Sequence, residues 1–525
     1  MAYFAEIQTI ADIARFHARQ RPDAVAMVFG DRVSSYAALD SHASRVANAL
    51  IGEGVGPQQR IAFMDKNSDH YFEILFGAAK ANAVLVGVNW RLAAPEVAYI
   101  LDHSGSEVLF VGEEFVELVE KIAADLKTVK RIVVMGQAHG PWVSYEAWRD
   151  RAPDSDPMVP SGPQDVAIQM YTSGTTGHPK GVQLTNWNFE ALRPKFEAEM
   201  PDWYRWKPED VSLVAMPVFH IGGTGWALLG FYQGAKHVVV KDFVPALVLD
   251  LMLKHRTNRI FFVPAVILMM LQVPGVRQAD FSFLDVIFYG ASPIPLDLLR
   301  DAVTVFKCGF CQLYGMTEST GLGTYLPPED HDLAGTPRMR SCGKALPGVE
   351  IRVVDASDQD VPAGQVGEIL LRTPSIMKGY WNQPAETEKA MRGGWYHSGD
   401  AGYLDAEGYL YIHDRVKDMI VSGGENIYPA EIENALFGHP AIADVAVIGV
   451  PDERWGEAVK AVVVLKPGAS LDAGDLIAWS RERIAGFKTP RSVDFVEALP
   501  RNPSGKLLKR EIRAPFWAGR DRQVN

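Results

Sequence analysis

Along the chain, short apolar runs alternate with stretches in which apolar residues recur every three or four positions. Leu39, Ala43, Val46 and Leu50 follow the second pattern, which predicts the buried face of a helix. Residues 61–63, 84–88, 108–111 and 131–135 are β-type runs, and the apolar run 166–170 is another. The alternation resumes at 211–215, 237–240, 259–263, 285–289 and 310–313. Nearly continuous apolar strands separated by helices predict mainly parallel sheets covered on both faces, hence an α/β fold. Ligands in such folds sit beyond the carboxyl ends of strands. Three unusual segments fall there: the loop after Met170, Tyr289-Gly-Ala-Ser-Pro293, and Leu313-Tyr-Gly-Met-Thr-Glu318.

From about 341 to 413 the pattern changes to short alternating strands and glycine turns, at 349–354, 368–371 and 409–413, which predicts a small β-rich subdomain. The polar run Asp414-Arg-Val-Lys-Asp418 marks a boundary. Beyond it, helices are expected near 429–437 and 473–484, and strands at 445–450 and 458–465. A chain of 525 residues exceeds what one core supports. The expected division is therefore a large N-terminal domain, 1–416, and a smaller α+β C-terminal domain, 417–525.

Composition narrows the function. An apolar content of 47% and a charged content of 22% are those of an ordinary globular protein. A net charge of −12 without a basic stripe argues against nucleic-acid binding. The N-terminal twenty residues lack the basic-then-apolar pattern of a signal peptide, and the apolar run 260–271 is interrupted by Pro264 and too short to span a bilayer. A cytoplasmic enzyme is expected, as monomer or homodimer. The aromatic and cationic segment 201–207 is a candidate for peripheral membrane contact. Cys308, Cys311 and Cys342 lack the partners of a metal site and read as small buried side chains.

The densest chemistry lies in Tyr171-Thr-Ser-Gly-Thr-Thr-Gly-His-Pro-Lys-Gly-Val182. Gly174 and Gly177 let backbone N–H groups approach a ligand closely, Thr172, Ser173, Thr175 and Thr176 add hydroxyls, and Lys180 adds a compact positive charge. That is a cradle for a polyphosphate, and it is not a Walker A loop.

With Pro217-Val-Phe-His220, the two strand-end segments, His397-Ser-Gly-Asp400, Asp414-Arg-Val-Lys-Asp-Met-Ile420, the stretch 422–433 and Pro500-Arg-Asn-Pro-Ser-Gly-Lys506, the chain resembles the adenylate-forming superfamily of acyl- and aryl-CoA synthetases, amino-acid adenylation domains and luciferases. The resemblance implies a two-step ligase using ATP, Mg²⁺ and CoA. A carboxylate attacks the α-phosphate of ATP, and a thiol then displaces AMP. Thr172 to Lys180 would hold the β- and γ-phosphates, Thr317 the α-phosphate, and Glu318 the Mg²⁺. Gly290, Ala291, Ser292, Gln312, Leu313, Tyr314, Gly315 and Met316 would surround adenine. Asp400 and Arg415 would hold the ribose. Lys506 would be the catalytic lysine of the first step. Lys417 would be the hinge on which a mobile C-terminal domain turns. Ser422, Gly423 and Gly424, with Trp455, Phe487 and Lys488, would meet CoA.

The acid is less legible. Amino-acid adenylation domains place an Asp after the Phe matching Phe219; here it is His220. A neutral imidazole cannot pair a buried substrate ammonium. With no carrier-protein domain following, this favours an acid without an α-amine and CoA as acceptor. His220 resembles a gate beside an acyl pocket walled by Gly222, Gly223, Thr224, Gly225, Val263, Gly290 and Met316. A medium- to long-chain fatty acid is the leading expectation. A cinnamate- or benzoate-like acid and a luciferase-like oxygenase on the same fold are the alternatives.

Overall fold

The computed structural model describes residues 3–172, 179–292, 294–332, 336–415, 418–422, 425–427, 429–452, 455–484, 486–501 and 507–518. The helix foreshadowed by Leu39 spans Tyr36–Gly52. It starts where the Ser35 hydroxyl accepts the Ala38 N–H, and it buries Leu39, Ala43, Val46 and Leu50.

Two large sheets organise the N-terminal part. One runs Gly379–Tyr380, Lys180–Thr185, Val166–Thr172, Val84–Gly87, Arg60–Met64, Ser106–Gly112, Arg131–Met135 and Val143–Ser144. The other places Gly309–Tyr314, Val286–Gly290, Arg259–Phe262, Val211–Val214 and Lys236–Val239 side by side, all parallel. The main hydrophobic core lies between the sheets. It joins Phe63 and Phe110 of the first to Val214 and Val239 of the second through helices Tyr36–Gly52, Asp69–Lys80 and Ile221–Gln233. Gly77 permits a close approach of two of these helices: a Cβ there would lie 2.5 Å from Val46 Cβ.

The β-rich segment is a four-stranded antiparallel sheet of Glu350–Val354, Gly367–Arg372, Tyr396–Leu404 and Leu410–Arg415. The C-terminal unit pairs Ile442–Asp452 with Gly456–Leu465, adds Ser492–Phe495 in parallel, and covers them with helices Pro429–Phe437 and Ala473–Arg481 around a core of its own.

The structure departs from the sequence pattern in several places. The loop expected to cradle a polyphosphate joins two antiparallel strands, Val166–Thr172 and Lys180–Thr185, so the sheet is not parallel there. The N-terminal helix Ile10–Gln20, whose Ile10, Ile13, Ala14 and His17 recur at helical spacing, and the hairpin of Val25–Phe29 with Arg32–Ser35 are further elements that the pattern described above did not include. The membrane-contact reading of 201–207 fails: Tyr204 and Trp206 are buried, and Trp203 packs with them against Trp226 and Phe288. Their rings are committed to the core, leaving Asp202 and Lys207 at the surface. Among the described residues no helix is long and apolar enough to cross a membrane. Cys311 and Cys342 are buried and Cys308 partly so, and burial pushes the thiols of Cys308 and Cys342 up to about 12.

Candidate active site

The carboxyl ends of the two sheets meet at Thr172 and Glu318. Thr172 closes its strand directly opposite Lys180, the first residue of the returning strand. Its hydroxyl donates to Glu318 Oε1 at 3.3 Å. Glu318 sits in the tight turn Thr317–Ser319 just beyond strand Gly309–Tyr314, and is largely buried. Gly315 makes that turn possible, since a Cβ there would fall 2.4 Å from the carbonyl carbon of Gly321.

Two residues that the sequence reading missed complete this cluster. Tyr380 donates its hydroxyl to Glu318 Oε1 at 3.1 Å, and its ring lies 4.9 Å from Lys180 Nζ. Glu386, in the first turn of helix Pro384–Ala390, forms an ion pair with Lys180. Tyr380 reaches the site because Gly379–Tyr380 adds to the edge of Lys180–Thr185, in register with Val182 and Gln183. Burial and the Glu318 charge hold the Tyr380 phenol well above its usual range, so it remains a donor. The bond from Lys180 holds Glu386 below the usual carboxylate range.

Around the expected nucleoside site, Val286–Gly290 and Gly309–Tyr314 pair so closely that a Cβ on Gly290 would lie 2.2 Å from the Leu313 carbonyl oxygen. The chain then turns through Ala291 at φ +68° toward Ser292. Tyr314 donates to Asp400 Oδ2 at 2.9 Å, tying the large sheet to the β-rich one. Burial, reinforced by Asp400, raises the Tyr314 phenol. Asp400 is in register with Arg415 across the antiparallel pair of strands. Gln312 is different. It is buried, with its amide donating to Cys342 Sγ at 3.7 Å and accepting from Tyr289 at 3.4 Å, so it packs the strand interior.

His220 immediately precedes helix Ile221–Gln233, its ring 4.5 Å from that of Phe219. Phe219 is pressed against the end of Val84–Gly87, where a Cβ on Gly87 would lie 3.1 Å from Phe219 Cα. His220 Nε2 is buried without a hydrogen-bond partner among the described residues. Burial, then the charge of Arg91, push the imidazole down to about 4, so it is neutral near pH 7. Gly222 faces Phe261, 3.2 Å from where its Cβ would be, and Gly225 faces Ile221 at 3.1 Å. Met316 lies partly buried against the main core, and Val263 is buried at the start of helix Pro264–Leu271.

Gly223 and Thr224 do not line this wall. A Cβ on Gly223 would strike the Pro217 carbonyl oxygen at 2.3 Å. Thr224 is fully buried, with its hydroxyl bonded to the Val218 carbonyl and the Tyr71 hydroxyl. Both fasten the helix to the segment before it. Of the expected CoA contacts, Trp455 and Phe487 are exposed, Lys488 pairs with Glu431 at 2.7 Å, and Ser422 ends strand Ile420–Ser422. Ser173, Gly174, Thr175, Thr176, Gly177, Lys417, Gly423, Gly424 and Lys506 lie outside the described residues.

Residues 14–381 match the profile of the AMP-binding enzymes, and residues 431–506 match that of the AMP-binding enzyme C-terminal domain. The chain belongs to the AMP-binding enzyme family. It is 42% identical over 521 residues to a fatty acid–[acyl-carrier-protein] ligase of Streptomyces coeruleorubidus, covering 99% of both chains. To a feruloyl-CoA synthase of an Amycolatopsis species it is 38% identical, over 95% of this chain and 97% of that one. Among solved structures it is similar to the anthranilate CoA ligase AuaEII in complex with anthranoyl-AMP, with a TM-score of 0.89, 27% identity and 98% of each chain covered. This is the two-domain α/β fold of the adenylate-forming enzymes, with parallel-rich sheets in the large domain and a smaller C-terminal domain.

Mg²⁺ is the usual ion of this AMP-binding enzyme family, and Glu318 fits it. Both hydrogen bonds described above fall on Oε1 and come from hydroxyls, and no Lys or Arg among the described residues pairs with the carboxylate. No cluster of three or more ligand side chains occurs among the described residues. One carboxylate with substrate phosphate oxygens is the arrangement Mg²⁺ favours.

Proposed function

We propose that this AMP-binding enzyme is an acid–thiol ligase that adenylates a medium- to long-chain fatty acid and passes the acyl group to CoA. In the first step a carboxylate oxygen attacks the α-phosphorus of ATP, and the bond to the β-phosphate oxygen breaks to release pyrophosphate. In the second, the thiol sulfur attacks the acyl carbon and AMP leaves. Both steps gather negative charge, so the protein's task is positioning and neutralisation. Thr172 and Lys180 would hold the terminal phosphates, Thr317 the α-phosphate, Asp400 and Arg415 the ribose, and Tyr314 the base. Mg²⁺ on Glu318 would offset the phosphate charge. Lys506 would bridge carboxylate and α-phosphate, and a turn at Lys417 would exchange it for the thiol channel between residues 1–416 and 417–525.

One observation supports the choice of acid: His220 is neutral, and the charge acting on it is the cation Arg91. A substrate ammonium there would meet repulsion from Arg91, whereas a plain carboxylic acid would not. Gly222 and Gly225 admit the close approach of the Phe261 and Ile221 side chains, which would be apolar neighbours of an acyl chain. An aryl acid is the second reading, favoured by that same Phe261 ring and by the similarity to a feruloyl-CoA synthase.

A panel of carboxylic acids scored by AMP release, with CoA, with a pantetheine-bearing carrier protein and with neither, tests acid and acceptor together. Palmitate should outcompete cinnamate, and CoA should stimulate turnover. Preference for cinnamate would establish the aryl reading, and stimulation by the carrier protein alone would move the acceptor. Lys506→Ala should lower ATP–pyrophosphate exchange about a hundredfold or more; near-normal exchange would remove Lys506 from the first step.

A further inference from the structure

The ion pair between Lys180 and Glu386 is unexplained by the reaction as proposed. Lys180 is the cation expected to meet the terminal phosphates, yet its ammonium is already matched by a carboxylate. The pair is strongly asymmetric. The Lys180 side chain is 11% exposed, confined between the Tyr380 ring and its own strand, whereas Glu386 is 30% exposed. The helix bearing Glu386 is itself fixed: the Thr387 hydroxyl accepts the Tyr380 N–H at 2.9 Å and donates to the Gln383 carbonyl at 3.0 Å. The lysine is thus held in place while the carboxylate keeps a route to water.

We propose that Glu386 is a positioning residue for the phosphate-binding lysine: its carboxylate holds Lys180 ready as a counter-ion, yields it to the phosphates of ATP, and reclaims it as pyrophosphate leaves. This rests on reading Thr172–Lys180 as the phosphate site. The physical logic is competition. A buried lysine without a partner pays desolvation and tends to lose its proton, so a resident carboxylate keeps it charged and aimed. A polyphosphate carries more charge than one carboxylate and wins the contact. The displaced carboxylate then stands near the bound phosphates and repels them. Binding is weakened for ATP and pyrophosphate alike, which favours release of the product.

The sign of the effect separates this role from a structural one. Glu386→Gln keeps the size and an acceptor oxygen but removes the charge. We expect the KM for ATP and the inhibition constant of pyrophosphate both to fall, by about tenfold at low ionic strength, with the gain shrinking as salt is added. Glu386→Asp, which keeps the charge, should stay near the parent values. A purely structural Glu386 would move both constants upward in the Gln variant, and that result, or no change in a folded Gln variant, overturns the proposal. Lys180→Ala, measured in parallel, should weaken both ligands, and adding Glu386→Gln to it should produce no tightening. If Lys180→Ala leaves both constants unchanged, the phosphate-site reading fails first. If Lys180→Ala weakens binding but Glu386→Gln does not tighten it, the Glu386 role alone is wrong.

Discussion

Tyr380→Phe tests the construction of the site with a single atom. The variant keeps the ring under Lys180, 4.9 Å from the ammonium, and removes only the hydroxyl that donates to Glu318 Oε1 at 3.1 Å. Hydrogen bonds to a charged group contribute about 1.5–3 kcal/mol. A 3.1 Å contact is long for an O–H donor on a carboxylate, so the lower end applies, about 1.5 kcal/mol. Tyr380 is buried, so water does not readily replace the lost donor. Glu318 would keep only the 3.3 Å bond from Thr172 among those described above. A loosened Glu318 holds its ion less firmly, and about 1.4 kcal/mol corresponds to about tenfold in rate. The assay is ATP–pyrophosphate exchange titrated with Mg²⁺. We expect about tenfold slower exchange at limiting Mg²⁺ and a midpoint shifted to higher Mg²⁺, with partial recovery at saturation. A folded Tyr380→Phe enzyme with unchanged rate and midpoint would refute the assignment of Glu318 and Tyr380 as one functional unit.

Three further outcomes are expected. Arg259 is 2% exposed and bonded to Asp210, Trp203 O and Arg205 O, so Arg259→Leu strands a buried carboxylate; it should cost about 3–5 kcal/mol, and an unchanged denaturation midpoint would contradict this. Burial alone would raise the Glu73 carboxyl, but the His42 bond and the charges of His70, His42 and Arg149 bring it down to about 2. A depressed carboxyl stabilises the fold above its ordinary value of 4.5, and that contribution, about 3 kcal/mol, is lost as pH falls toward 2; Glu73→Gln should flatten the acid limb of the stability–pH curve. His220, at about 4, stays neutral from pH 5 to 8, so His220→Asn should alter acid affinity without changing the shape of the adenylation pH profile, and disappearance of an inflection near pH 6.5 would count against its neutrality.

Much of the large domain was legible because its strands are buried on both faces. Such strands are nearly continuous apolar runs, and strand 131–135 is found with the bounds its pattern predicts, as is helix 429–437 of the C-terminal unit. Legibility failed where burial is one-sided or the segment short. The strand Tyr396–Leu404 carries His397, Ser398 and Asp400 in one of its halves and reads as a polar motif. The hairpin after Gln20 has only one fully buried stretch, 26–28. For the candidate site, the motifs singled out Glu318, Thr172 and Asp400. Tyr380 and Glu386 were not, because nothing local distinguishes them from an ordinary tyrosine and a solvated acid. Gly223 and Thr224 erred in the other direction: neighbours of a pocket in sequence, they point into the helix packing.

The sequence by itself determined the alternation of strands and helices, the loop chemistry suited to a polyphosphate, and the residue types at the strand ends. Those are properties of periodicity and composition, which act over a few residues. Only the tertiary structure decided which charges meet. Lys180 and Glu386 are 206 residues apart in the chain and Glu318 and Tyr380 are 62 apart. The edge strand Gly379–Tyr380 brings both partners to the hairpin. The strength of an ionic contact depends on separation and on how much water is excluded around it, and both quantities come into being when the sheets close over the site.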